Sequence, residues 1–184
     1  MARTPSTMIA LGTKAPNFVL PDSVSGKDLL LENSKGEIAT MIMFICNHCP
    51  FVKHVNEELV KLANDYKSRG IGFVAINSND VLNHPDDSPA LMTQVARQLK
   101  YPFPYLFDES QETAKAYEAA CTPDFFIYDK DLQLVYRGQL DDSRPGNEIP
   151  VTGKDIRQAL DCLINNIPVS QEQRASIGCN IKWK

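Results

Sequence analysis

Residues 38–45, IATMIMFI, are an almost unbroken apolar run of eight. A turn-forming SKGE segment precedes it at residues 34–37, and a polar Cys46-Asn47-His48-Cys49-Pro50 follows. That length and those boundaries suit a strand buried on both faces. After the break, Val52, Val55, Leu59, Leu62, Ala63 and Tyr66 recur at helical spacing, and Arg69-Gly70 supplies a stop. A second apolar run, IGFVAI, begins at Ile71. The three segments read as a β-α-β unit, whose parallel strands need a right-handed crossover.

The rest of the chain extends this pattern. Two short apolar segments around Ser25-Gly26-Lys27 predict a hairpin before the unit. After it come a loop, a helix over residues 90–100, a short strand at 105–107, and a helix over 110–120 with Ser110 as its N-cap. Residues 125–128 and 132–137 predict an antiparallel hairpin, and residues 152–164 a last helix with Cys162 on its inward stripe. The first eleven residues read as a flexible tail, residues 12–168 as one domain, and residues 169–184 as a tail without helical or strand period, packing on or near the domain. This order makes a sheet with helices on both faces.

Composition bounds the function classes. The 184 residues carry 19 basic and 23 acidic side chains, a net charge of −4, which argues against nucleic-acid binding. No apolar run approaches the roughly 20 residues of a membrane span, and the start of the chain lacks a signal-peptide core, so a cytoplasmic location is expected. Five cysteines, at 46, 49, 121, 162 and 179, cannot all pair within the chain, and in a reducing compartment they stand as thiols.

Cys46-x-x-Cys49 lies between a buried strand and a helix, the context in which this spacing reads as a redox motif. Cys46 sits where orphan amides and the helix dipole favour a thiolate, and Cys49 is within reach to resolve a mixed disulfide. An imidazolium at His48 would further stabilise the Cys46 thiolate. The alternative is half of a zinc site, but no second closely spaced Cys or His pair completes one. His54 reads as a solvated helix residue and His84 as a loop residue. Thr122-Pro123, directly before a buried strand, is placed for a cis peptide that turns the backbone of residue 122 toward the dithiol, where an incoming peptide could pair with it. An ordinary trans proline at a strand start is the alternative. Cys121 is either an extra resolving thiol or a small buried hydrophobe. Cys179 either folds back as another redox partner or rides the tail.

Several of these segments together resemble one family. They are Ala15-Pro16-x-Phe18 with its hairpin, the strand before Cys46-x-x-Cys49-Pro50, Thr122-Pro123-Asp124-Phe125-Phe126, Tyr136-Arg137-Gly138 with Asp141-Asp142, and the tail from Ile177 to Lys184. The chain resembles thioredoxin-fold, peroxiredoxin-like proteins of the alkyl hydroperoxide reductase/thiol-specific antioxidant family. The resemblance implies an α/β, thioredoxin-like fold: a central mixed sheet flanked by helices, with an N-terminal β-hairpin extension. It implies a thiol–disulfide oxidoreductase with Cys46 as nucleophile, Cys49 as resolving thiol, His48 tuning Cys46, and Thr122 and Pro123 shaping the substrate groove.

The partners so implied are disulfide-containing or thiol proteins and a thiol reductant, with no cofactor, metal, nucleic acid or membrane. A thiol peroxidase is the runner-up. Aligning its peroxidatic cysteine with Cys49-Pro50 puts Cys46 and Pro123 where the peroxide-activating Thr/Ser and Arg should stand, so dithiol exchange is preferred. A non-catalytic metal-binding relative, using Cys46, Cys49 and His48 or His54, is the third reading. The proton acceptor for Cys49 is unassigned, with Glu37 or a water as candidates.

Overall fold

The computed structural model describes residues 3–184. Its first strand pairs with its last: Arg3–Pro5 (β1) runs antiparallel to Ile177–Asn180, so the expected tail is tied down from residue 3. Met1 and Ala2 lie outside the described residues. Val19–Pro21 (β2) and Asp28–Leu30 (β3) form the expected hairpin as a separate two-stranded sheet. A short 3-10 turn at Leu31–Ser34 leads into Ala39–Phe44 (β4), the apolar run.

Pro50–Tyr66 (α1) follows, with Pro50 in its first turn, where the missing N–H leaves no bond unmade. Gly70, at φ +82, closes its C-terminal end in the left-handed region and turns the chain into Ile71–Asn77 (β5). A 3-10 turn at Pro85–Asp87 precedes Pro89–Leu99 (α2) and Tyr105–Phe107 (β6). Glu112–Ala116 (α3) is shorter than the predicted 110–120 helix. Ser110 is not its cap. The side chain of Asp108 takes the amide of Ala114 at 2.9 Å, and Gln111 holds the N-cap position in a left-handed conformation. The chain continues through Cys121–Thr122 (β7), Asp124–Asp129 (β8), Leu134–Gly138 (β9), Lys154–Ile164 (α4) and Ile177–Asn180 (β10).

The main sheet has the order β6-β5-β4-β8-β9. β4 pairs parallel with β5 and antiparallel with β8, and β5 pairs parallel with β6. This is the mixed sheet expected of a thioredoxin-like fold. Successive side chains of a strand point to opposite faces. Met41 and Met43 therefore join α1, α2 and α4 in one core, through Val55, Leu59, Met92 and Leu160. Ile42 and Phe44 point the other way, into a second core with Phe18, Tyr117, Phe126 and Tyr128. Both faces of β4 are covered, which is why its sequence does not alternate; each such side chain, fully buried, contributes roughly 1.5–3 kcal/mol.

A third sheet, β1-β10-β7, holds the end of the chain against the domain. The tail that showed no period in the sequence thus contains a strand. Beyond it, the backbone N–H of Lys182 donates to Asn79 Oδ1 at 2.8 Å, and that of Lys184 to Gln111 Oε1 at 2.9 Å. Cys162 is half-buried on α4, not in its core stripe, which is Ile156, Ala159 and Leu160. No helix among the described residues is long and apolar enough to cross a membrane.

Candidate active site

β4 ends at Phe44, and the chain leaves the sheet into Cys46-Asn47-His48-Cys49, so the motif sits at the C-terminal end of a parallel strand pair. Cys49 is the N-cap of α1, and both thiols are buried, Cys46 at 2% and Cys49 at 0% exposure. The Thr122-Pro123 peptide is cis, as anticipated, and it presents both polar atoms of Thr122 to the dithiol. Thr122 Oγ1 lies 3.3 Å from Cys46 Sγ, and the Thr122 carbonyl 3.2 Å from Cys49 Sγ. Thr122, Pro123, Cys46 and Cys49 are therefore brought together.

His48 is beside the dithiol but its partner is not Cys46. Its Nδ1 donates to Asp87 Oδ2 at 2.6 Å. Asp87 is wholly buried, and its Oδ1 accepts the backbone N–H of Asn47 at 2.7 Å while Asn79 Nδ2 donates to Oδ2 at 2.7 Å. The Asp87 hydrogen bond raises the pKa of His48. Burial pushes Asp87 up, but the bonds from His48 and Asn79 outweigh it and leave the carboxyl below its ordinary value. The pair is close to charge-neutral, so the tuning of Cys46 by a lone imidazolium is replaced by a His48–Asp87 unit. His84 is more than a loop residue, because its ring stacks on His48 with centroids 5.4 Å apart. His54 is not solvated either: its Nε2 lies 2.7 Å from Ser143 Oγ.

The charge in the site rests on Cys49. Its pKa is pushed down to about 5, first by a hydrogen bond from Cys46, against its burial, and then by Cys179 and the backbone N–H groups of Val52 and Cys179. The Cys46 thiol is pushed well up by donating to Cys49, by burial, and by the nearby Asp87 carboxylate, while Thr122 opposes the shift. That shared hydrogen bond, donated by Cys46 and accepted by Cys49, favours the thiolate on Cys49 in the resting dithiol, where the sequence had placed it on Cys46. The first turn of α1 solvates the sulfur that caps it, and that sulfur is Cys49. Glu37 stands exposed before β4, at the strand end remote from Cys46, and has no part here.

Two further thiols were candidates. Cys179 meets the centre: its Sγ lies 2.8 Å from Cys49 Sγ, and it stands opposite Thr122 in the β10–β7 pair. Burial and the hydrogen bond to Cys49 push its thiol up to about 12. Cys121 is wholly buried, its thiol donates to the Pro123 carbonyl at 3.6 Å, and burial holds it protonated.

Asp87 had no signal in local periodicity. A usable signal existed in topology, because loops after adjacent parallel strands lie side by side at the carboxyl edge of a sheet. The loop after β5 therefore adjoins the dithiol. Among the described residues, Cys46, His48 and Asp87 also offer three ligand atoms within 4.8 Å of one another, a set that could hold a metal. His54, bonded to Ser143, is not among them.

Residues 10–156 match the family model described as Redoxin. The chain belongs to the Redoxin family. It is 61% identical to an uncharacterized conserved protein from Geobacillus kaustophilus, whose crystal structure superimposes with a TM-score of 0.99 over 100% of this chain and 97% of that one. A curated relative, the thiol-disulfide oxidoreductase ResA of Geobacillus kaustophilus (strain HTA426), is 26% identical over 71% of this chain and 70% of its own length. The thioredoxin domain of a thiol-disulfide oxidoreductase from Bacteroides vulgatus shares the fold: 17% identity, TM-score 0.58, 70% of this chain and 88% of that one. Family and relatives support an oxidoreductase enzyme.

Proposed function

We propose that this Redoxin protein is a thiol–disulfide oxidoreductase working through Cys46 and Cys49. The observation that carries the reading is the placement of both sulfurs at the start of α1, against the cis Thr122-Pro123 loop. Cys46, outside the helix, takes the substrate. As Cys46 attacks one sulfur of a substrate disulfide, its proton passes to the Cys49 thiolate, and the other substrate sulfur leaves as a thiolate. Cys49, now protonated, has the Thr122 carbonyl as its acceptor. The departing thiolate takes that proton, and Cys49 attacks Cys46 to release the reduced substrate and leave a Cys46–Cys49 disulfide. The departing substrate thiolate thus serves as the proton acceptor for Cys49 that the sequence left unassigned.

Reduction of a model disulfide by the dithiothreitol-recycled protein tests this. Cys46→Ser should abolish turnover, and Cys49→Ser, incubated with the disulfide in the absence of dithiothreitol, should stop as a mixed disulfide on Cys46. Undiminished turnover by Cys46→Ser would overturn the assignment.

The Cys46, His48 and Asp87 cluster favours a second reading, a metal-holding site. Metal analysis of the purified protein, with thiols titrated in parallel, separates the two. Stoichiometric metal that masks the Cys46 thiol supports the second reading, and a metal-free titratable dithiol removes it.

A further inference from the structure

The cis-proline loop was expected to pair with an incoming peptide, and that pairing position is already filled by the chain itself. β10 lies antiparallel to β7 with Cys179 opposite Thr122 and Asn180 opposite Cys121. The approach is close: a Cβ built on Gly178 would fall 2.0 Å from the Thr122 carbonyl oxygen, so no other residue fits there without moving the strand. Ser176 Oγ donates to the Pro123 carbonyl at 2.7 Å, and β1 covers the outer edge of β10. This register delivers Cys179 Sγ to 2.8 Å from Cys49 Sγ, with both sulfurs buried. A covalent S–S bond is about 2.05 Å, so a shift of under roughly an ångström joins them.

We infer that β10 is a built-in substrate strand and that Cys179 is a third catalytic thiol, forming a disulfide with Cys49. The inference rests on the dithiol reading above. After substrate turnover the centre holds a Cys46–Cys49 disulfide. The charge on Cys49 that held the Cys179 proton is then gone. Cys179 Sγ attacks Cys49 Sγ, the Cys46–Cys49 bond breaks, and its electron pair leaves on Cys46, which takes up the proton Cys179 gives. One disulfide is exchanged for another with no net oxidation. The result is a stored Cys49–Cys179 disulfide and a Cys46 thiol returned to the reduced state.

Disulfide mapping tests this without relying on turnover. The full chain and its Cys46→Ser variant are oxidised with diamide, which is itself reduced to the hydrazine as each dithiol becomes a disulfide. Free thiols are then alkylated, and the protein is digested without reduction for mass spectrometry. Wild type should yield both a Cys46–Cys49 and a Cys49–Cys179 linked peptide. Cys46→Ser should still lose two thiols per chain and yield only the Cys49–Cys179 link. Gly178→Ala, which displaces the strand from Thr122, should lose that link at least tenfold and keep Cys46–Cys49. If Cys49 and Cys179 stay alkylatable in Cys46→Ser, and wild type shows Cys46–Cys49 alone, the inference fails while the dithiol reading stands. If wild type forms neither link, the dithiol reading fails, and the inference built on it falls too.

Discussion

Asp87 accepts the Nδ1 proton of His48 at 2.6 Å from a position 39 residues away, and its other oxygen takes the amide of Asn47 inside the Cys46-x-x-Cys49 loop. One buried carboxylate therefore sets both the conformation and the electrostatics of the motif.

Asp87→Asn tests that role. Removing the charge should lower the His48 pKa, because the Asp87 hydrogen bond is what raises it. It should also lower the Cys46 pKa, because a nearby carboxylate disfavours a thiolate. Proton NMR of His48 and the pH profile of Cys46 alkylation read the two shifts; an unmoved Cys46 profile would remove Asp87 from the redox centre.

The Cys49 thiolate should appear as a 240 nm absorbance step near pH 5 in the reduced protein. Its folded-state pKa lies below the unfolded thiol value of about 8.5. The stability it contributes is therefore complete above about pH 8.5 and lost as pH falls through about 5. Cys46→Ala removes the thiol whose hydrogen bond is the largest cause of the shift, so the step should move to higher pH. A step that stays put would assign the thiolate to another cause.

Thr122→Val removes the hydroxyl 3.3 Å from Cys46 Sγ, a bond that lowers the Cys46 pKa. A net hydrogen bond of about 1 kcal/mol corresponds to an approximately fivefold drop in Cys46 thiolate at a given pH. Alkylation of Cys46 followed by peptide mass spectrometry should slow to that degree, and Thr122→Ser should recover it.

Arg137 and Asp124 form a wholly buried ion pair at 3.0 Å, with Arg137 also lying over the Phe126 ring. Asp124 Oδ1 and Arg137 Nε find no hydrogen-bond partner, and burial pushes Asp124 up to about 6 despite the arginine. Its contribution to stability is therefore full below the unfolded value of about 3.9 and lost as pH rises through about 6. Arg137→Met strands the carboxylate and should cost about 3–5 kcal/mol at neutral pH. Without the arginine, whose charge and hydrogen bond lower the Asp124 pKa, Asp124 takes its proton at a higher pH than in the wild type, and part of that loss should return as pH falls. Urea unfolding at pH 5 and pH 7.5 measures it; an equal loss at both would show that packing alone is at stake.

Much of the molecule was legible before folding. The β4-α1-β5 unit could be read because its signals are local: an apolar run of strand length, helical spacing after it, and glycine at the stop. The pairing of Cys46-x-x-Cys49 with Thr122-Pro123 was legible as well, because each is a short motif with its own chemistry. α3 is shorter than the 110–120 span because its first-turn amides bond to Asp108, outside that span, and the chain turns left-handed at Glu118, φ +50. The strand in the tail is invisible in the sequence because it has four residues, too few to display a period of two, and its pairing is entirely with distant segments.

The sequence by itself thus determined the fold and the dithiol, since local periodicity and motif spacing specify a β-α-β unit and what stands at its junction. Which sulfur carries the charge, and which side chains surround it, were decided only by the tertiary structure. Asp87 and Cys179 reach the centre across separations of 39 and 130 residues. Those approaches depend on sheet order and strand register, and electrostatics in a buried site follows spatial neighbours rather than neighbours along the chain.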